Sequence, residues 1–519
     1  MAVSEPADGR EDTPARGDQD QDLTRGESGE PASAEPPATG RQAAWNYLIF
    51  ALSKSSTLIM TVVVARMLEP AEFGLFALAL LVVNLFDYVK DLGVGSALVQ
   101  NRRDWNAIAP TGLTLSVMFG LVASGLLAAT ADLTADALGH PELTGFIRVL
   151  AIGLGISALS TIPAAWLRRS MNFRARLVPE ASAALIKTVL TIGLAATGHG
   201  VWSLVYGQLV STVVMTVLYW WVGRTYPRLA LNGAVARELV RFGIPVTAVT
   251  LLAYAIYNVD YLAVGTRLGA TDLGLYTLAY RIPELVVLNL CIVVSEVLFS
   301  ALSSLQHDRE SLTRHYLESL AVVVALTTPI GLMMAVTAGP LVDTLYGGKY
   351  AGSAPILAVL AIYTVVYAAS FHAGDVFKAI GRPGVLTAIN AGKLVLLIGP
   401  IWWAAGQSVI LVAWVLLANE VVHFVVRMMV LVRMTSVRWS AIAGALLRPT
   451  AAALPMGLIL LCLTWVTGGL AAPLELVLLI VVGVGVYAVL LRFTAPNLVT
   501  AASALVRGRL SRTAAAPPP

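Results

Sequence analysis

Residues 66–79 read RMLEPAEFGLFALA and residues 266–279 read TRLGATDLGLYTLA. Aligned 200 positions apart, they match at Leu68/Leu268, Glu72/Asp272, Gly74/Gly274, Leu75/Leu275, Phe76/Tyr276, Leu78/Leu278 and Ala79/Ala279. A second pair follows in the same order: Lys187-Thr-Val-Leu-Thr-Ile-Gly193 against Lys393-Leu-Val-Leu-Leu-Ile-Gly399. Self-similarity in a constant order marks a duplicated structural unit. What each unit contains follows from the apolar runs around these stretches.

The 519-residue chain is 57% hydrophobic and only 13% charged. A soluble protein carries about 25% charged residues, so this composition is that of an all-α polytopic membrane protein. About 20 apolar residues cross a bilayer as a helix. Runs of that kind lie near 44–66, 73–99, 109–131, 144–166, 179–197, 201–222, 240–264, 273–301, 315–337, 354–378, 384–405, 408–431, 448–468 and 473–494, which predicts about fourteen transmembrane helices. The duplication then relates helices 1–6 to helices 7–12. Six is an even number, so both copies start on the same side and form parallel repeats, with two C-terminal helices outside them. Two such lobes meeting in mid-membrane are the architecture of a rocking transporter. The predicted organisation is an acidic tail (1–40), an N-terminal lobe (41–223), a C-terminal lobe (224–432), helices 13 and 14 (433–495) and a second tail (496–519).

Residues 1–40 hold ten Asp/Glu against three Arg, about −7, which leaves about +11 on the rest of a chain whose formal charge is +4. Such a polar, Pro/Gly/Ser-rich tail buries too little surface to offset its ordering entropy, and is expected to be disordered. It also lacks the basic start and early apolar run of a secretory signal. Loops on the side of the N-terminus carry the basic residues, among them Arg102, Arg103, Arg168, Arg169, Arg224, Arg309, Arg382 and Arg433. The opposite side shows Arg66, Arg267 and Lys349. By the positive-inside rule both termini of this multi-pass membrane protein are cytoplasmic. The loops between spans are too short for a further folded domain.

Charges within the spans ask for explanation, since each costs about 2.5–3.5 kcal/mol even on insertion scales. Seven basic residues are so placed: Lys54, Lys90, Arg148, Lys187, Arg281, Lys393 and Arg427. Helical spacing groups Asp87/Lys90/Asp91, Arg281/Glu284, His372/Asp375 and Glu420/His423/Arg427. Arg148, Glu180 and Arg427 stand near span ends, where a long side chain snorkels to the interface. Asp87, Lys90 and Asp91 read either as a self-neutralising lock or, with Asp260 and Asp375, as coupling or gating groups. Lys54, Lys187, Arg281, Glu284 and Lys393 are the candidates for substrate binding in a central cavity, against the alternative of buried structural pairs. Pro283 removes a backbone donor beside Arg281 and predicts a break there. Arginine grips phosphate through two parallel hydrogen bonds and lysine acts as a point charge, so this set suits phosphate or acidic sugars.

Other chemistries lack their signatures. Gly347-Gly348-Lys349-Tyr350 and Gly392-Lys393-Leu394 both fail the phosphate-loop pattern after the lysine. The six histidines and two cysteines show no metal-ligand spacing, so neither a metal nor a cofactor is expected. Asp18, Asp20 and Asp22 imitate a metal–nucleotide D-x-D element, but within an acidic tail they read as solvated charge.

Four stretches carry a family resemblance: ARMLEPAEFGLFALALLVV (65–83), LRRSMNFRARLVPE (167–180), HGVWSLVYGQLV (199–210) and NVDYLAVGTRLGATDLGLYTLAYRI (258–282). Together they resemble bacterial polysaccharide flippases of the multidrug/oligosaccharidyl-lipid/polysaccharide exporter superfamily, over roughly residues 41 to 495. The resemblance implies a V-shaped pair of lobes that moves an undecaprenyl-pyrophosphate-linked oligosaccharide to the outer leaflet. Its sugar head would pass through a cationic cavity and its lipid tail would stay in the bilayer, between helices 1 and 8. It points to Lys54 and Arg281, although relatives that flip lipid II carry arginine where Lys54 stands. The expected partners are the lipid-linked oligosaccharide, the bilayer and other polysaccharide assembly proteins, with no role for nucleic acid. The chain thus reads as a transporter and not an enzyme. Its rivals are a polymerase or ligase of lipid-linked sugars, whose large external loop is missing, an ion-coupled drug antiporter of the same superfamily, and a passive scaffold.

Overall fold

The computed structural model describes residues 54–305 and 308–496, so the acidic segment 1–40, the start of the first predicted span and the tail beyond 496 lie outside the described residues. All regular structure among the described residues is helical. The main helices are α1 (Lys54–Ala65), α2 (Pro70–Val89), α3 (Trp105–Ala129), α4 (Leu143–Leu159), α5 (Phe173–Ala196), α6 (Val201–Gly223) and α7 (Gly233–Arg267). They continue as α8 (Ala270–Pro283, resumed at Asn289–Ser304), α9 (Arg309–Val336), α10 (Ser353–Phe371), α11 (Pro383–Ala404), α12 (Val409–Met434), α13 (Trp439–Thr467) and α14 (Ala472–Thr494).

Eleven of these are long and apolar enough to cross a membrane, twelve if α4 and its bent continuation Thr161–Arg169 count as one. The predicted count of fourteen is therefore not reached by length and composition. Helix α1 is described only from Lys54, and α8 is interrupted by a π-helical turn at Glu284–Leu288. Large apolar side chains point outward, with Trp465 87% and Phe493 78% exposed, as in a chain solvated by lipid. This is a multi-pass membrane protein.

Several predicted spans are broken where the sequence looked continuous. The run 73–99 ends as a helix at Val89, because Leu92 and Gly93 take left-handed backbone angles (φ 46° and 74°), and resumes as Val94–Gln100. The run 144–166 bends by 43° between Leu159 and Thr161. The run 354–378 stops at Phe371 and continues as Ala373–Ala379. At the predicted break beside Arg281, Pro283 has no N–H to give the preceding turn, and the chain widens into the π-turn that starts at Glu284.

The order of elements recurs along the chain. A short helix follows α3 (Ala131–Ala137) and another follows α9 (Ala338–Tyr346). Short continuations follow both α4 and α10, and hairpins α5–α6 and α11–α12 come next. Helices α3 and α9 both start on an aspartate cap: Asp104 accepts the Asn106 N–H at 3.0 Å, and Asp308 accepts those of Glu310 and Ser311 at 3.1 Å.

The α13–α14 pair packs on α9 through Met456, Leu460 and Leu479, with Leu332 and Met333 against them, and Tyr487 donates to the Ala325 carbonyl at 2.7 Å. The largest apolar cluster runs through α1, α2, α4, α8 and α10 and ties the two halves together.

Candidate functional site

Helices α1, α2, α5, α6, α7, α8 and α10 line a cavity of about 760 Å³. Lys54 in α1, Lys187 in α5 and Arg281 with Glu284 at the break in α8 all line it. Four of the five residues proposed from sequence for substrate binding are thus brought together. Arg281 lies 3.3 Å from Glu284, three residues along the same helix, and both side chains are about one-third exposed, 30% and 35%. Lys54 lies in the electrostatic field of both, and Lys187 in that of Arg281. The Lys187 ammonium donates to Gln208 Oε1 of α6 at 2.5 Å, which fixes its direction.

The fifth candidate, Lys393, is placed differently. It is 6% exposed and forms an ion pair with Glu420 of α12, away from the lining of the main cavity. Glu420 also accepts from Ser370 at 3.0 Å and contacts His423 Nδ1 at 3.3 Å, while Lys393 sits over the Tyr367 ring at 5.7 Å. Sequence equivalence between Lys187 and Lys393 therefore means the same helix in each repeat with a different neighbour: a neutral amide for one, a carboxylate for the other.

Arg427 corrects a second expectation. It does not snorkel: it is 5% exposed and donates to the Ser370 carbonyl at 2.9 Å and to Asn390 at 3.1 Å. Glu180, another predicted snorkeler, accepts from Arg176 at 2.9 Å and from Tyr219 at 2.8 Å. Arg148 is surface-placed as expected and pairs with Asp132 at 2.6 Å.

The candidate coupling residues divide by what they hold. Lys90 pairs with Asp87 at 2.6 Å and donates to Ser157 of α4 at 2.7 Å, and Asp91 accepts the Gly93 and Gly95 N–H groups, which shapes the turn after α2. Asp375 is buried and accepts from Ser295 (2.6 Å) and Lys378 (3.0 Å), beside His372. Asp260 is also buried, accepting from the Tyr276 hydroxyl at 2.5 Å, with its other oxygen unpartnered.

Sequence reasoning missed the aromatic wall. Tyr257, Tyr261, Tyr280 and Tyr367 line the cavity, and the Tyr257 and Tyr367 hydroxyls meet at 2.5 Å. Their signal was readable: Tyr257/Tyr261, Tyr276/Tyr280 and Tyr363/Tyr367 are each four residues apart, on one face of a helix. Asn84, Asn258 and Asn289 add neutral polar groups to the same lining.

Away from the arginine-rich loops, contacts between the halves close one end of this cavity. Arg66 donates to the Thr344 and Leu345 carbonyls, Tyr350 donates to the Leu68 carbonyl at 3.0 Å, and Lys349 pairs with Glu69 at 3.4 Å. There α2 and α8 also touch backbone to backbone at Gly74 and Gly274.

The same arrangement of helices is found in known transporters. The structure superposes on that of the lipid II flippase MurJ in an inward closed conformation, with TM-score 0.71 and 14% identity over 87% of this chain and 99% of that one. By sequence it is 25% identical over 358 residues to the lipopolysaccharide biosynthesis protein WzxC of Escherichia coli, covering 69% of this chain and 73% of that one. It is 26% identical over 390 residues to the succinoglycan biosynthesis transport protein ExoT of Rhizobium meliloti, covering 73% and 78%. The profile of the polysaccharide biosynthesis protein family matches residues 63–355, more than half of the chain and including α2, the α8 break and the sealed end of the cavity, and the chain belongs to that family.

Proposed function

We propose that this protein flips a pyrophosphate-linked, lipid-anchored oligosaccharide, of the undecaprenyl type, from the cytoplasmic to the outer leaflet of the inner membrane for cell-surface polysaccharide synthesis. The observation that carries this reading is the meeting of Lys54, Lys187 and Arg281 in one tyrosine-walled cavity between the two halves. Three cations against one lining carboxylate, Glu284, favour an anion. Tyrosine rings offer apolar faces to sugar C–H groups and hydroxyls to sugar oxygens. The volume, within the range of about 300–1,000 Å³ common for ligand sites, suits a pyrophosphate with its first sugars. The lipid stays outside, between α1 and α8.

In this reading residues 41–223 and 224–432 are the two lobes, α1 and α8 each span the membrane, which makes fourteen spans, and the arginine-rich loops and both termini face the cytoplasm. The opposite end, sealed around Gly74 and Gly274, is the outer gate. The substrate binds while that gate is closed, and its differential affinity for the two states drives the exchange. As the outer gate opens, water screens the cavity cations and the pyrophosphate leaves. The protein itself makes and breaks no covalent bond, and its partners are the lipid-linked oligosaccharide and the enzymes that build and polymerise it.

The test is complementation of a flippase-deficient strain that assembles a compatible polysaccharide, reading the lipid-linked oligosaccharide left on the inner leaflet. Wild type clears it if the reading holds. A set of strains with chemically different repeat units, none of them cleared by abundant wild-type protein, would overturn it.

A further inference from the structure

At the arginine-rich end lie two further concave sites, and they occupy matching places in the two repeats. One, of about 490 Å³, is formed by the start of α9, the segment after α10 and the end of α12, and brings together Arg309, Arg382 and Arg433. The other, of about 600 Å³, is formed by the start of α3, the continuation of α4 and the segment after α6, with Trp105, Trp166, Arg224, Tyr226 and Arg228. Helices 3, 4 and 6 of one repeat correspond to helices 9, 10 and 12 of the other. A hollow with exposed arginines thus lies at the corresponding place in each repeat.

The first hollow is not neutralised from within. Among the described residues, the guanidiniums of Arg309, Arg382 and Arg433 form no ion pair or hydrogen bond, and the lining of their hollow contains no carboxylate. Arg309 is the first residue of α9, whose N-terminal N–H groups are already capped by Asp308, so the guanidinium is the group this helix end offers to the hollow. In the other hollow Arg224 and Arg228 are likewise without side-chain partners, while the one carboxylate, Asp104, caps α3. Arg224 ends α6 in the left-handed region, φ 45°, a common way for a helix to terminate. Around it Trp105 donates to Thr225 at 3.0 Å and Tyr226 stacks on Trp220, an amphipathic aromatic rim of the kind found at headgroup depth.

We propose that these hollows are a pair of phosphate-binding sites, one per lobe, at the level of the cytoplasmic headgroups and separate from the transport cavity. Converging guanidiniums that outnumber the lining carboxylates, three to none in one hollow and two to one in the other, recognise phosphate oxygens by paired hydrogen bonds. The phosphate comes from a membrane lipid headgroup or from soluble phosphate, and both sources present the same oxygens. Either source ties α3 to α6 and α9 to α12 at their cytoplasmic ends, and a lipid headgroup also holds those ends to the membrane while the lobes move. The inference rests on the proposed topology only for the side of the membrane.

The experiment uses the full chain in detergent. Native mass spectrometry counts retained phosphatidylglycerol against phosphate-free diacylglycerol, and calorimetry titrates inorganic phosphate. Variants are Arg309→Gln/Arg382→Gln/Arg433→Gln, Arg224→Gln/Arg228→Gln, and the single Arg382→Gln in case the triple fails to fold. Wild type is expected to retain phosphatidylglycerol over diacylglycerol, and each set of substitutions to remove one copy, with affinity for it weaker by about tenfold or more. If inorganic phosphate alone shows the same dependence on these arginines, the sites stand and their source is soluble. Equal binding of both probes by wild type and all folded variants overturns the proposal. Flipping is assayed in parallel: variants that lose phosphate binding yet still flip separate these sites from the transport reading, and binding by a protein that flips nothing separates them the other way.

Discussion

Gly74 and Gly274 each face the other's helix so closely that neither position has room for a side chain. A Cβ at Gly74 would lie 1.8 Å from the carbonyl oxygen of Ala270, and a Cβ at Gly274 would lie 1.8 Å from that of Pro70. The two glycines are 200 residues apart, and so are Pro70 and Ala270. The contact thus maps onto itself when the halves are exchanged, as expected for parallel repeats around an axis along the membrane normal.

This contact gives a first prediction. Gly74→Ala or Gly274→Ala forces backbones apart, and overpacking of this kind costs about 1–3 kcal/mol, all of it charged to the state in which this end is closed. In a background without Cys291 and Cys462, a cysteine at the cavity residue Ala77 should react slowly with an impermeant thiol reagent added outside. Adding Gly74→Ala should raise that rate several-fold. An unchanged rate in folded protein would falsify the assignment of this contact as the outer gate.

The same pair shows how much of the fold is legible in the sequence. Duplication, parallel orientation and the glycine match lay in the order of residues, because a helix–helix crossing that excludes side chains leaves glycines at fixed places. The breaks at Leu92–Gly93 and around Ser160 and His372 did not, because hydropathy averages over windows longer than the few residues that turn the chain. For the site, Lys54, Lys187, Arg281 and Glu284 were found by their cost in a bilayer. Lys393 was equally costly and equally conspicuous, yet it is buried against Glu420: composition reports that a charge is present, and only the neighbouring helix decides whether it meets substrate or a counter-ion. The tyrosine wall was passed over because tyrosine costs little in a membrane and so raises no alarm.

Arg281 is the second prediction. A hydrogen bond to a charged group contributes about 1.5–3 kcal/mol, so Arg281→Ala at matched abundance should lower flipping by about one to two orders of magnitude. Arg281→Lys keeps the charge but loses the paired geometry and should fall between. Glu284→Gln removes the one lining carboxylate and is expected to tighten substrate binding while slowing release. Accumulation of lipid-linked oligosaccharide on the inner leaflet measures the first effect, and binding of a lipid-linked pyrophosphate analogue to purified protein measures the second.

The topology is tested by labelling from either side of the membrane. Cysteines at Ser436 and at Gly348 should react with impermeant reagents from opposite sides, the first from the cytoplasm and the second from outside. Both reacting from one side would remove a span between them and, with it, the count of fourteen.

Lys393 and Glu420 supply the last prediction, because their pair separates a structural role from a transport role. Taking one partner from a buried ion pair costs about 3–5 kcal/mol, since the other charge is left uncompensated, whereas replacing both with apolar residues of similar size is often neutral. Lys393→Met and Glu420→Leu should therefore each lower the melting temperature of the purified protein, and the double variant should regain most of the loss. If the double variant also flips, the pair is scaffolding that holds α11 to α12. If it is as stable as wild type and does not flip, the charges act in the cycle itself. His423 contacts Glu420 and Arg427 contacts His423 on the same helix, Tyr367 packs on Lys393, and Tyr367 also lines the main cavity. A movement of this pair would then reach the cavity wall directly through the Tyr367 ring, and Tyr367→Phe, which keeps the ring and removes its hydroxyl bond to Tyr257, should leave stability near wild type and change flipping alone.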